Sequence, residues 1–109
     1  DGTTVTGAAT DDILISDTTD DLLIGAAGDD LFVFSDGHGN DTVSDFQAGA
    51  GSDDAVDLSG VSEITDLSDL LASHASDVGS DTVIDTGSGN SVTLIGVSVA
   101  DLHQDDFLF

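Results

Sequence analysis

The sequence contains no lysine and no arginine against 23 aspartate and glutamate residues, so its formal net charge is −23. Binding to a phosphate backbone requires cationic side chains, which excludes nucleic acid as a partner. The same charge disfavours anionic membrane surfaces. The fold must therefore tolerate, or make use of, a very high density of carboxylates.

Cysteine, proline, methionine, tryptophan and tyrosine are also absent. Without cysteine, folding does not depend on redox state, and cysteine usage does not decide the compartment. No apolar run approaches the roughly 20 residues needed to span a bilayer, so no membrane insertion is expected. Because an initiator methionine is missing, we expect a piece of a longer protein, fused to an upstream domain.

The rest of the composition argues against a disordered chain. Such a charge imbalance is typical of disorder, but 39% of the residues are hydrophobic and they fall in strand-like runs. The best reconciliation is a fold whose carboxylates are neutralised by bound cations. The alternative is an acidic surface that only keeps the protein soluble, as in halophiles, and periodic aspartates argue against it.

A nine-residue pattern repeats through the first half of the chain. Residues 7–15, 16–24 and 25–33 each have aspartate sixth and a large apolar residue eighth. After a two-residue insertion, residues 36–44 form a fourth copy, and residues 49–57 form a fifth. A fixed short period of this kind is typical of stacked repeats.

Each repeat predicts a tight six-residue turn followed by a three-residue strand whose middle side chain points into a narrow core. Alternate turns then stack on opposite edges, with neighbouring strands about 4.8 Å apart. Asp12 would face Asp30, and Asp21 would face Asp41, at a distance where bare carboxylates repel. A calcium ion between them, with loop carbonyls completing six to eight oxygen ligands, removes that cost and suits the site better than magnesium.

These repeats resemble the glycine-rich calcium-binding nonapeptide Gly-Gly-x-Gly-x-Asp-x-U-x of RTX (hemolysin-type) proteins. The resemblance implies an all-β fold, a parallel β-roll that folds around Ca²⁺, in proteins secreted by Gram-negative bacteria. The metal-site residues expected in the loops are Asp12, Asp21, Asp30, Asp36, Asp41, Asp54, Gly7, Ala9, Thr10, Gly25, Ala27, Gly28, His38 and Gly39. For His38, the backbone carbonyl is expected to matter more than the ring.

Residues 25–60 are also similar to the end of the roll in serralysin-type and other type I secreted proteins. The phrase Asp-Thr-Val-Ser-Asp-Phe at 41–46, followed by Asp-Leu-Ser at 57–59, carries this match. The roll is therefore predicted over residues 1–60 of a single 109-residue domain. Its outward strand positions are apolar as well, including Ile13 and Ile15, so a later segment or a neighbouring coil is expected to cover them.

Residues 61–109 are predicted to form a cap that closes the end of the roll and protects its strand edges. Leu67, Leu70 and Leu71 have helical spacing, with Thr65 as a plausible N-cap. The β-rich runs 81–85 and 91–95 flank Thr-Gly-Ser-Gly-Asn, which predicts a hairpin. The cap should thus contain a short helix and a β-hairpin.

The last five residues, Asp-Asp-Phe-Leu-Phe, resemble the extreme C-terminus of substrates of type I secretion machinery. A final edge strand is the structural alternative. Behind a roll of this kind, a secretion signal is the preferred interpretation, and the protein is then extracellular.

Catalytic motifs are absent from the sequence. The three histidines are not at zinc spacing, there is no His-Glu-x-x-His, and no nucleophile elbow or phosphate loop occurs. The leading hypothesis is therefore a non-enzymatic calcium-binding domain that folds outside the cell. The alternative is a module that binds an extracellular polysaccharide or cell surface, which the low aromatic content (five Phe) disfavours.

Overall fold

A computed structural model describes residues 4–26, 28–46 and 54–109. Ten β-strands account for most of its regular structure, which confirms the predicted β-rich fold. The strands are β1 (Thr4–Thr6), β2 (Ile13–Ile15), β3 (Leu22–Ile24), β4 (Leu31–Ser35), β5 (Asn40–Val43), β6 (Ala55–Gly60), β7 (Ala75–Val78), β8 (Asp81–Gly87), β9 (Asn90–Leu94) and β10 (Phe107–Leu108).

Consecutive strands of the repeat region alternate between two sheets. One sheet has the order β1-β3-β5-β9-β8-β7 and the other has the order β10-β6-β4-β2. Within each, the repeat strands pair in parallel, with Leu14 opposite Phe32 and Leu23 opposite Val43. This register places the repeats one above another on every second strand, as the nine-residue period predicts.

The eighth residue of each repeat lies in the core between the sheets. Leu14 is 2% exposed, and Leu23, Phe32, Val43 and Val56 are completely buried. A strand of three residues contributes one such inward side chain, since successive side chains point to opposite faces. These residues form one hydrophobic core together with buried side chains of the later part of the chain, such as Leu70, Ile84 and Val92.

Within the described residues no later segment covers the outward apolar side chains of β2, so that prediction is wrong for this strand. Ile13 is 68% exposed and Ile15 is 66% exposed. The later part of the chain instead adds strands to the two sheets after the last repeat strands, with β9 beside β5 and β10 beside β6. It therefore closes the end of the stack rather than its outer face.

The sheet that β9 extends is mixed, because the strands of the cap continue the sheet of parallel repeat strands. The predicted hairpin is present, with β8 antiparallel to β9, and β7 pairs antiparallel with β8. The turn between β8 and β9 uses positive φ at Gly87, Ser88 and Gly89. Only β9 of this hairpin runs parallel to a repeat strand.

The predicted helix is a single α-helical turn, α1 (Leu67–Asp69), which continues into a π-helical turn at Leu70–His74. Asp66, not Thr65, is the N-cap, because its extended backbone lets its carboxylate accept from the Asp69 amide at 2.8 Å. Leu70 is buried and holds the turn against the core. No helix in the described parts of the chain is long and apolar enough to cross a membrane.

The C-terminal segment returns to the repeat strands. After 3₁₀ turns at Val99–Asp101 and Gln104–Asp106, β10 pairs in parallel with β6 and places Phe107 opposite Val56. Phe107 is 4% exposed. The tail thus forms the edge strand that was the structural alternative for these residues.

Candidate metal centre

The six-residue turns stack on two edges of the molecule. The first edge contains turns 7–12 and 25–30, of which Ala27 is not described, together with Asp54. The second edge contains turns 16–21 and 36–41. Backbone hydrogen bonds hold their ends in register: Leu31 N–H donates to the Asp12 carbonyl at 2.8 Å, and Thr42 N–H donates to the Asp21 carbonyl at 2.9 Å. Sixth-position aspartates therefore lie directly above one another.

The carboxylates of Asp30, Asp54 and Asp41 each accept from the backbone amide of the aspartate one level earlier in the stack. On the first edge, Asp12 N–H donates to Asp30 Oδ1 at 3.1 Å, and Asp30 N–H donates to Asp54 Oδ1 at 3.1 Å. On the second edge, Asp21 N–H donates to Asp41 Oδ1 at 2.7 Å. The structure thus brings the predicted pairs together. In each pair the carboxylate of one aspartate contacts the backbone amide of the other, and not its carboxylate.

Fifth-position residues make the reciprocal bond, which the sequence analysis did not identify. Asp29 N–H donates to Asp11 Oδ1 at 2.7 Å, and Asn40 N–H donates to Asp20 Oδ1 at 2.8 Å. Two carboxylate–amide bonds of opposite direction therefore join successive levels. The Asp-Asp pairs in the sequence could have indicated these bonds. The carboxylate of the sixth position accepts from an amide of the preceding level, and that of the fifth position accepts from an amide of the following level.

Glycine at the fourth position allows the turns to stack closely. A Cβ on Gly28 would lie 2.6 Å from the Thr10 carbonyl oxygen, and one on Gly39 would lie 2.7 Å from the Thr19 carbonyl oxygen. Both glycines have φ near +95°, a region that L side chains rarely adopt. The carbonyl oxygens of one turn therefore face the next turn at close range.

At the first position, absence of a side chain leaves room for carboxylate and carbonyl oxygens. A Cβ on Gly7 would lie 2.5 Å from Asp12 Oδ2 and 2.7 Å from the Gly25 carbonyl oxygen. A Cβ on Gly25 would collide with Asp30 Oδ2. Oxygen atoms from two levels thus converge around the start of these turns.

Asp45 changes the hydrogen bonding of the third turn. In the first turn the second-position amide, of Ala8, donates to Asp12 Oδ2 at 2.8 Å. In the third turn the corresponding amide, of Ala26, instead donates to Asp45 Oδ2 at 2.7 Å. The Asp30 carboxylate therefore loses the local donor that its counterpart in the first turn has.

As a result, one carboxylate oxygen of Asp30 is buried and receives no hydrogen bond from the residues described. Asp30 is 2% exposed, and its Oδ2 has no hydrogen-bond partner within the described ranges. Burial raises the pKa of Asp30, and the negative charges of Asp54, Asp12 and Asp45 raise it further, against the lowering effect of the Asp12 amide. A buried anion without compensation is costly, so this oxygen requires a cation or a proton.

A calcium ion fits this donor set. Among residues 4–26, 28–46 and 54–109, no three His, Asp or Glu side chains converge closely enough to hold a metal by themselves. Calcium also takes backbone carbonyl oxygens, and the Gly25 and Thr10 carbonyls face neighbouring turns here. The residues that would hold the ion are Asp30 and Asp12, together with carbonyl groups of the first and third turns and with Asp45 beside them.

On the second edge the buried carboxylate of Asp41 has hydrogen-bond partners for both of its oxygens. Asp41 is 1% exposed, and besides the Asp21 amide it contacts His38, whose Nδ1 lies 2.6 Å from Asp41 Oδ2. His38 Nε2 lies 2.8 Å from Thr86 Oγ1 on β8. Burial raises the pKa of Asp41, while the Asp21 amide and His38 lower it. The His38 ring, and not only its backbone, therefore takes part in this edge.

One predicted residue, Asp36, lies away from the stacked carboxylates. Asp36 is exposed, and its Oδ1 accepts from the Ser62 amide at 3.0 Å; hydrogen bonds from the Ser62 amide and hydroxyl lower the pKa of Asp36. Ala27 lies outside the described residues. The other predicted positions (Gly7, Ala9, Thr10, Asp12, Asp21, Gly25, Gly28, Asp30, His38, Gly39, Asp41 and Asp54) all lie in the stacked turns.

Asp45 is the residue that the sequence analysis missed. It lies outside any nine-residue repeat, in the phrase Asp-Thr-Val-Ser-Asp-Phe. Its carboxylate accepts hydrogen bonds from the Gly25 amide at 2.9 Å and from the Ala26 amide at 2.7 Å. The available signal was its position immediately after a repeat strand. Only the fold shows that this carboxylate meets the third turn.

No protein-family model matches the sequence, and no curated protein matches it. Among solved structures, the chain is similar to the extracellular lipase of Serratia marcescens, with a TM-score of 0.67 and 23% identity over 97% of this chain. It spans 20% of that lipase. A subunit of the mannuronan C5-epimerase of Azotobacter vinelandii aligns with 99% of this chain and 78% of its own length, at 21% identity and a TM-score of 0.38. The likeness to the lipase shows that the chain shares the fold of a segment of that protein.

Proposed function

We propose that this chain is a calcium-folded β-roll domain of the RTX type, that it belongs to a larger protein exported by type I secretion machinery, and that it has no catalytic role of its own. The proposal extends to an extracellular location in a Gram-negative bacterium. It rests on the residues of the stacked turns and on the resemblance of the repeats.

The observation that carries the proposal is the buried Oδ2 of Asp30, which has no hydrogen-bond partner in the part of the chain that the structure describes, in a sequence without lysine or arginine. In most proteins a nearby cationic side chain could compensate such a charge. Here the chain has no lysine or arginine that could do so, which leaves a proton or a bound cation, and hard carboxylate and carbonyl oxygens favour calcium. Neighbouring carboxylates raise the cost of leaving the site without an ion.

The proposed mechanism is a switch set by the calcium concentration of the compartment. With a site dissociation constant of about 10⁻⁴ M and free calcium of about 10⁻³ M, each ion stabilises the fold by about 1.4 kcal/mol. At cytosolic calcium levels this contribution vanishes, and repulsion among the carboxylates favours the extended chain. An unfolded chain can pass a narrow export channel, and folding outside opposes its return.

Two further features support export. The similar Serratia protein is an extracellular lipase, and the C-terminal Asp-Asp-Phe-Leu-Phe resembles the end of type I substrates. The tail can serve as an address while unfolded and as strand β10 once the domain has folded. These roles are compatible because they belong to different compartments.

Circular dichroism during a calcium titration tests the central claim. The calcium-stripped chain should lack most of its β signal and gain it cooperatively as calcium rises to millimolar concentrations, whereas magnesium at equal concentration should be far less effective. A β-rich spectrum that is independent of calcium at low salt contradicts the proposal. Recovery with magnesium or sodium alone would indicate general charge screening instead of a specific site.

A further inference from the structure

We infer that His38 closes the second edge to calcium, so that calcium binds along the first edge only. The inference rests on the proposed calcium-dependent folding and adds where the ions bind. It departs from the sequence expectation, which placed metal ligands on both edges.

The contrast between Asp30 and Asp41 is the starting point. Both are sixth-position aspartates, both are at most 2% exposed, and each accepts a backbone amide of the preceding level through Oδ1. They differ at the second oxygen. Oδ2 of Asp30 has no partner among the residues described, whereas Oδ2 of Asp41 lies 2.6 Å from His38 Nδ1.

The His38 ring is held firmly where it meets Asp41. Its other nitrogen lies 2.8 Å from Thr86 Oγ1, and its ring centroid lies 5.1 Å from that of Phe34. His38 is 2% exposed. Freeing Asp41 Oδ2 for a metal would break its contact with His38 Nδ1 and leave a buried ring nitrogen without that partner, which is unfavourable.

Asp21, the other sixth-position aspartate of the second edge, is also supplied with protein donors. Its Oδ2 accepts from the Asp17 amide at 3.1 Å, and its Oδ1 accepts from the Thr19 hydroxyl at 3.0 Å. Both carboxylates of this edge therefore obtain donors for each oxygen from the chain itself. A calcium ion would have to displace these donors, whereas Oδ2 of Asp30 has no donor to displace among the described residues.

The fold explains why the two edges differ. The fourth turn is followed in its sheet by β9, and Ser91 N–H donates to the Gly39 carbonyl at 3.1 Å. The Asn90 side chain in turn accepts from the Gly39 amide at 3.0 Å. The hairpin thus closes the second edge and brings Thr86 to the far side of the His38 ring.

A pair of matched variants tests the inference. Asp30→Asn and Asp41→Asn each remove one charge from a buried sixth-position carboxylate and keep its shape. Ion stoichiometry is measured by equilibrium dialysis with calcium on each full-length chain at saturating calcium, where folding is verified by circular dichroism. We expect Asp30→Asn to lose bound calcium and to weaken the remaining affinity about tenfold or more, and Asp41→Asn to bind as many ions as the wild type.

Loss of an ion in Asp41→Asn equal to that in Asp30→Asn would overturn the inference while leaving calcium-driven folding intact. A wild-type chain that binds no calcium would instead overturn the proposed function. If Asp41→Asn does not fold, NMR of the calcium-saturated wild type decides. A slowly exchanging His38 Nδ1–H that remains hydrogen-bonded supports the inference, and its absence in the calcium-loaded state contradicts it.

Discussion

The backbone amide of Gly25 donates to Asp45 Oδ1 at 2.9 Å, across a separation of 20 residues. With the neighbouring bond from Ala26, it ties the third turn to the segment that leaves β5. This contact withdraws donors from Asp30, whose Oδ2 is left buried without a partner among the residues the structure describes. The arrangement concentrates negative charge at one point, which the chain cannot neutralise by itself.

Replacing Asp45 with alanine should therefore weaken calcium binding even though Asp30 is unchanged. The freed Ala26 amide can turn to Asp30 Oδ2, as the Ala8 amide does to Asp12 in the first turn. We expect the calcium affinity to fall about tenfold, a typical effect of replacing a residue that orients a metal ligand without binding the metal itself. Isothermal titration calorimetry measures it, and the exposed Asp101→Ala is the control for loss of one charge. Equal shifts in both variants would assign the effect to general repulsion.

The raised pKa of Asp30 predicts opposite effects of Asp30→Asn with and without calcium. Since burial raises its pKa in the folded state, the folded chain holds this proton more readily than the unfolded chain. Metal-free stability should therefore decrease as pH rises from the unfolded pKa through the raised folded pKa. Asp30→Asn removes this penalty, so at neutral pH it should stabilise the metal-free fold and destabilise the calcium-loaded fold. Thermal melts of calcium-stripped protein in trimethylamine N-oxide, repeated with calcium, measure both.

Asp36→Asn is the matched control for that prediction because its pKa moves the other way. The Ser62 hydrogen bonds lower the pKa of Asp36, so its contribution to stability is present above the unfolded pKa and is lost as pH falls through the folded pKa. Asp36→Asn removes the same formal charge but should not stabilise the metal-free fold at neutral pH. Stabilisation by both variants alike would point to net charge alone.

Gly37 and Gly39 provide an internal comparison for the stacking of the turns. Both have positive φ, at +81° and +94°, but a Cβ on Gly37 would meet nothing within 4 Å. Alanine at Gly37 should cost only the backbone strain, about 1–2 kcal/mol. Alanine at Gly39 adds a collision with the Thr19 carbonyl at 2.7 Å, so it should cost several kcal/mol more. Urea unfolding at saturating calcium measures both, and equal costs would show that the turns do not pack as described.

Much of the fold follows from the nine-residue period, since a period of turn plus strand determines both the alternation of sheets and the inward position. Leu14, Phe32 and Val56 are aligned on one sheet for this reason. The hairpin of β8 and β9 was also predictable, from local turn residues. What could not be predicted is where the later segments pack, because tertiary contacts decide it, and Ile13 and Ile15 consequently remain exposed.

The metal site was predictable in its location but not in its selectivity between edges. The repeat identifies Asp12, Asp30 and Asp41 equally, because it fixes only position within the turn. Whether a carboxylate oxygen is left for a metal depends on donors distant in sequence. Thr86, which fixes His38, lies 48 residues away from it. Such a contact has no periodic signal.

The C-terminal tail allows its structural and export roles to be separated. Phe107 is 4% exposed and lies opposite Val56, so Phe107→Ala should destabilise the calcium-loaded fold by about 3–5 kcal/mol. Phe109 is 38% exposed, and its replacement by alanine should cost clearly less. Urea unfolding at saturating calcium measures this difference. A similar loss in both variants would indicate that the ring contact between them, at 5.9 Å, dominates instead of burial.

Export is then compared through a matched type I transporter, with the chain fused to its passenger. Deletion of residues 106–109 should block export, because it removes the proposed address. Phe107→Ala should still be exported, since it loses folded stability but keeps the acidic pair and the apolar end that are read before folding. Comparing the two variants separates recognition from stability, because both lose the packing of β10 but only one loses the address. Export of the deleted chain at the wild-type level would contradict the secretion assignment and leave calcium binding unaffected.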